Sequence, residues 1–181
     1  NKVNKYESEN YLKNIKILNS QVYPLIISTG GPFLNIVTKN TESGPSTVYG
    51  YLGNGKILAS TALDGFDTDS DNYQKANDFQ KNMFIWLSEN YTRKKIGFLS
   101  GHDETVSTET LLSDMENWLL KKDFTLETVS KISDIKNYDI LIIGSPQKAF
   151  SKGEISAITQ FVSNGGSLLI MNEWDDDSDD Y

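Results

Sequence analysis

The chain has 181 residues, 38% of them hydrophobic, and its 17 basic and 25 acidic side chains leave a net charge of −8. That length suits one large domain or two small ones, and the acidic balance argues against nucleic acid or an anionic membrane as the main partner. There is no cysteine, which removes disulfides, thiolate metal sites and cysteine catalysis together. No apolar run approaches the ~20 residues needed to cross a membrane. The chain starts at Asn1 rather than Met, shows no signal peptide, and ends soon after a strand-like run. It reads as a mature or trimmed piece of something longer, compatible with export.

In chain order, residues 1–21 are polar with a weak helical spacing of Tyr11, Leu12, Ile15 and Leu18. Tyr23 to Ser28 and Phe33 to Thr38 are predicted strands, and Thr41 to Ser46, with Gly44-Pro45, a loop. Val48 to Leu52 and Lys56 to Ser60 flank Gly53-Asn54-Gly55, a hairpin signal. An Asp-rich loop from Asp64 to Asn72 precedes a predicted helix from Tyr73 to Asn90, whose apolar face is Phe79, Met83, Phe84, Trp86 and Leu87.

In the second half, Lys95 to Ser100, Tyr138 to Gly144 and Ser167 to Met171 are short apolar runs. Such runs suit strands buried on both faces of a parallel sheet. Phe124 to Val129 is a further, shorter strand. A helix capped by Ser107 or Thr108 is predicted through Leu111, Leu112, Met115, Trp118 and Leu119, with Asp103 and Glu104 as early negative charge. Ser151-Lys152-Gly153-Glu154 has capping-box spacing and opens another helix with Ile155, Ile158, Phe161 and Val162 towards the core. Asn164-Gly165-Gly166 ends it. Alternating strands and helices imply an open α/β sheet preceded by a β-rich segment. Three segments result: 1–46 (strand and loop), 47–93 (hairpin, acidic loop, helix) and 94–181 (parallel half-domain), packed as one unit truncated at its C-terminus. The edge beyond the last strand needs cover, from the first-half strands or from a continuation.

The stretch YDILIIGSPQKAFSKGEISAITQFVSNGGSLLIMNE resembles the core of class I glutamine amidotransferase-like domains. The similar branches are those without amidotransferase activity, such as trehalose-utilisation-like proteins and accessory domains of exported bacterial proteins. The first half, YGYLGNGKILASTALDGF and NDFQKNMFIWLSEN, is similar to a segment beside such domains in large exported proteins, including enhancin-like metallopeptidases. The resemblance spans roughly residues 47–173. It implies a flavodoxin-like, amidotransferase-like parallel sheet more than an activity, because the superfamily hosts many functions. Where the amidotransferases carry their nucleophilic cysteine, this chain has Met171-Asn172-Glu173, so glutaminase activity is not expected.

Open α/β sheets bind ligands outside the carboxyl ends of their strands. That places Ser100 to Glu104, Ser145-Pro146-Gln147 and Asn172 to Asp175 together. His102, the chain's one histidine, is the candidate base or metal ligand, with Glu173 or Asp103 to orient it or act as acid. The alternative is that these are ordinary polar loop residues. A second candidate is Asp67, Asp69 and Asp71, alternating as in a calcium loop, with Asn72 at the turn and Asp78 at the closing position. Against it stand the strand-like residues before Asp67, the shortness of Asp78, and the fact that negative charge is favourable at a helix start anyway. Asp175 to Asp180, with Ser178 among them, is an acidic run that reads as solvated or as a helper to that loop.

The leading expectation is a non-catalytic accessory or interaction domain of a larger exported or cell-surface bacterial protein, stabilised by calcium. Calcium is the one cofactor the residues suggest. The partners would be other domains of the same polypeptide or a protein or glycan ligand, with no nucleic acid and no membrane span. The alternative is a hydrolase using His102 and nearby carboxylates on a carbohydrate-like or glycoprotein substrate.

Overall fold

Seven strands join into one sheet in the order β1-β2-β3-β7-β6-β4-β5 in a computed structural model, which describes residues 34–40, 44–60, 73–89, 91–92, 94–105 and 118–171. The strands are β1 (Leu34–Asn40), β2 (Gly44–Leu52), β3 (Gly55–Ser60), β4 (Lys94–Leu99), β5 (Phe124–Val129), β6 (Ile140–Gly144) and β7 (Ser167–Met171). The first three pair antiparallel. From β3 to β5 every neighbouring pair is parallel. The fold is therefore α/β and flavodoxin-like, with an antiparallel extension on one side. The predicted strand Tyr23 to Ser28 and the acidic loop Asp64 to Asn72 lie outside the described residues, as does most of the helix expected after Ser107.

The hairpin turns at Gly53-Asn54, with Leu52 opposite Gly55. Gly53 has φ +60, the left-handed first position of a II′ turn, which matches strand twist and favours glycine. Gly44, Pro45 and Ser46 were expected in a loop but belong to β2. Proline lacks the N–H a central strand needs. Here Pro45 faces Lys39 beside two register shifts, and the β2–β3 ladder starts only at Thr47 and Ser60. Among the described residues that end is paired only to β1, which is why the strand can extend there.

β3 lies parallel to β7, with Ile57 beside Leu168 and Ser60 beside Met171. The first half thus covers the edge that the parallel half-domain would expose. Alternation along β6 explains why both faces need helices. Ile140 and Ile142 join one cluster with Leu58, Phe98, Leu169 and Met171, under Met83, Phe84, Trp86 and Leu87 of α1 (Tyr73–Ser88). Leu141 and Ile143 join the other with Leu99, Val129 and Leu168, under Ile158 and Val162 of α2 (Lys152–Ser163) and Ile135 of a 3-10 turn, Ile132–Asn137. Each fully buried side chain of this size contributes about 1.5–3 kcal/mol by leaving water. Gly97 lets the second layer close on β4, since a Cβ there would lie 2.8 Å from both the Tyr138 ring and Val129.

Ile155 was expected on the core face of α2 and is instead 53% exposed. It sits in the first turn, next to Glu154, which reaches His102 three residues past the end of β4. That turn therefore lies level with the loop past the end of β4.

Candidate functional site

After β4 the chain moves outward to β5, and after β6 it moves the other way to β7, so β4 and β6 flank the switch point where open sheets bind ligands. Their loops meet there. In the first, Gly101 has φ +119 and Asp103 φ 53. The Glu104 carboxylate accepts the N–H groups of Gly101 (3.0 Å) and His102 (3.1 Å). Expected as helix-start charge, Glu104 thus holds a tight turn. In the second, buried Ser145 has φ 47 and donates its N–H to Met171 O at 2.7 Å. Positive φ costs a residue with a Cβ of order 1 kcal/mol or more, and the surrounding bonds hold it.

The two loops are zipped by main-chain bonds. Gln147 and Lys148 both donate their N–H to His102 O at 2.9 Å, and Thr105 N–H reaches Ser145 O at 3.2 Å. Side chains lock them further. His102 Nε2 lies 3.2 Å from Glu154 Oε1, and its ring lies tilted by 34° against Phe150 with centroids 3.9 Å apart. Glu154 is also the reciprocal half of the α2 capping box. Ser151 N–H donates to its Oε2 at 2.8 Å, and its own N–H donates to Ser151 Oγ at 3.3 Å. Bonds from Ser151, and then the neighbouring His102, hold the Glu154 carboxyl below its usual range. Asp103 turns outward, where its carboxylate meets Lys148 Nζ at 2.6 Å.

Of the expected catalytic set, the structure therefore joins His102 not to Asp103 but to Glu154, which the sequence suggested only as a cap. Glu173 lies outside the described residues. A carboxylate-oriented imidazole is half of a general-base device. Here the carboxylate is occupied by a helix cap, and the ring, on a side chain 12% exposed, is covered by Phe150. The nearby Ser100 Oγ points to Val129 O at 3.5 Å and Ser151 Oγ serves the cap. Asp67, Asp69 and Asp71 lie outside the described residues, and Asp78 is placed by its backbone in the second turn of α1. Among the described residues no group of three or more metal-binding side chains assembles.

The opposite, amino edge holds a polar cluster that the sequence reading missed. Lys56 is 6% exposed, and its Nζ donates to Trp86 O at 2.5 Å and Glu89 Oε2 at 3.1 Å. Ser167 Oγ donates to Leu87 O at 2.7 Å. These bonds satisfy carbonyls that the last turn of α1 leaves without partners. Tyr91 donates to Gly165 O and shares a 3.2 Å contact with Ser167 Oγ. Burial pushes the Lys56 ammonium down, against Glu89, and pushes the Tyr91 phenol up. The available signal was alternation, since Lys56 stands two residues before Leu58 and so shares its inward face.

A family model described as an ABC-type uncharacterized transport system matches residues 93–180. No curated protein matches the chain significantly. Among solved structures the chain is similar in fold to the IMPa metallopeptidase from Pseudomonas aeruginosa, with a TM-score of 0.54 and 14% identity, covering 78% of this chain and 16% of that one. The IMPa metallopeptidase in complex with T-antigen gives a TM-score of 0.55 at 14% identity, over 78% of this chain and 16% of that chain. The chain therefore has the fold of a small part of that much longer protein. No described helix is long and apolar enough to cross a membrane.

Proposed function

We propose that this chain is a non-catalytic accessory or interaction domain of a larger exported or cell-surface bacterial protein, of the class I glutamine amidotransferase-like type without its nucleophile. The observation that carries the reading is the closed switch point. The crevice where an α/β enzyme would hold its substrate is bridged by the loops' own main-chain bonds, and His102 is taken up by Glu154 and Phe150. The likeness to a segment making up 16% of a metallopeptidase chain supports an accessory place beside a catalytic module. Turnover assays on glycopeptide and simple glycoside substrates test it. No turnover is the expected result. Hydrolysis lost in a folded His102→Ala variant would instead establish the hydrolase reading.

Calcium stabilisation belongs to the same proposal. β3 and β7 end side by side, Ser60 opposite Met171. The sequence after one carries Asp67, Asp69 and Asp71, and the sequence after the other carries Asp175 to Asp180. Thermal unfolding with calcium and then chelator tests this. At ~100 times its dissociation constant, a ligand of the folded state adds about 2.7 kcal/mol, which reads as a rise of several degrees. An unchanged midpoint would remove calcium from the proposal and leave the accessory role standing.

A further inference from the structure

The described residues of this molecule carry more positive than negative charge. The described residues carry 12 lysines and nine aspartates and glutamates, although the whole chain is at −8. Five of those lysines gather where the chain enters β4, β5 and β6. Lys94 and Lys95 open β4, and Lys94 is opposite Phe124, the first residue of β5. Lys121 and Lys122 immediately precede that strand, and Lys136 closes the 3-10 turn leading to β6.

Two of the five are held against rings, and none is paired with a described carboxylate. Lys94 Nζ donates to Lys122 O at 2.9 Å and lies 5.1 Å from the Phe124 ring centre, while Lys95 Nζ lies 6.0 Å from that of Tyr138. Lys121, Lys122 and Lys136 are exposed. Among the described residues the ion pairs are Lys56 with Glu89, His102 with Glu154 and Lys148 with Asp103, so none of these five ammonium groups has a described carboxylate within 4.0 Å. Of the nearby carboxylates, Asp123 and Asp134 are exposed, Asp139 is buried against Lys95 N–H, and Glu127 takes the Tyr138 hydroxyl.

We propose that this amino edge is a docking surface for an acidic polypeptide segment, such as an Asp-rich stretch of a partner domain. The inference rests on the interaction-domain reading and names the chemistry of its partner. Range decides between polyanions. Exposed charges act over about 8 Å at physiological salt, so a short acidic segment laid on the edge meets mainly its lysines. A long nucleic acid or a membrane plane extends past the edge and also meets the excess negative charge of the whole chain.

The test is titration of a labelled deca-aspartate peptide into the full chain, followed by anisotropy. Saturable binding is expected, weakening at least about tenfold as salt rises from about 0.01 M to about 0.15 M and the screening length falls from about 30 Å to about 8 Å. Lys121→Glu with Lys122→Glu should abolish it, and arginine at both positions should retain it. Lys131→Glu with Lys152→Glu, the same charge change elsewhere on the surface, should leave most of it. Circular dichroism on each variant separates lost binding from lost fold. No saturable binding, or equal loss in both Glu pairs, would overturn the proposal. Tighter binding to duplex DNA or to phosphatidylglycerol vesicles at equal salt would overturn it too, reassigning the edge to that partner. Because turnover is measured separately, an active enzyme would defeat the accessory reading without deciding this one.

Discussion

Two helix ends in this molecule solve the same problem by different means. At the N-terminus of α2 the free N–H groups meet Ser151 and Glu154, three residues apart in sequence, with His102 joining from the next loop. At the C-terminus of α1 the free carbonyls meet Lys56, 30 residues away from Trp86, and Ser167, 80 residues away from Leu87. Both place charge where the helix dipole favours it, an anion at the start and a cation at the end. The first cap is local and reaches water. The second is assembled from two other strands and buried. The contrast teaches that the α1 end depends on the completed sheet, while the α2 start is specified by its own short stretch of chain.

Mutations at the buried end should therefore cost most. Trp86→Ala removes a side chain that is 1% exposed and meets the rings of Tyr49 and Tyr51 at 5.5 and 5.9 Å. A loss of about 3–5 kcal/mol is expected by chemical denaturation. A loss under about 1 kcal/mol would show that α1 is not docked as described.

Lys56→Ala comes next, at about 1–3 kcal/mol, because Trp86 O loses its donor in a dry setting. Lys56→Met should lose less, since it keeps the packing and Glu89, with a side chain 28% exposed, can rehydrate. Equal losses would mean that the ammonium rather than the stem carries the contact.

Ser151→Ala should cost about 1 kcal/mol, the usual value of an N-cap, and roughly 2–4 °C in Tm for a chain of this length. A cost matching that of Lys56→Ala would erase the distinction between the two ends.

The smallest effect is a pH dependence. Glu154 sits below its ordinary value of 4.5 in the folded chain. The unfolded chain takes up that proton first as pH falls. The stabilisation is therefore present above about pH 4.5 and lost below it, through the folded value. Glu154→Gln should flatten Tm against pH in that window. An unchanged slope would show that the capping box carries no such linkage.

Much of the fold was readable from residue order. Apolar runs of five or six residues, the Gly53-Asn54-Gly55 turn and the Ser151-to-Glu154 spacing are local signals, and each corresponds to an element of the structure. The candidate site was readable in place but not in partners. His102 was correctly put at the strand ends, whereas Glu154 as its neighbour is a contact 52 residues apart in sequence. The exposure of Ile155 was hidden as well, because its spacing matches the core face and only the place of that turn in the fold decides its burial.

By itself, the sequence determined the α/β class, the α2 cap, the hairpin and the absence of a cysteine nucleophile, because those follow from periodicity, turn chemistry and residue identity. Only the tertiary structure decided that β3 completes the parallel sheet, that Lys56 and Ser167 finish α1, and that the switch-point loops close on each other. Those are non-local pairings, chosen by which polar groups find partners once the sheet is assembled.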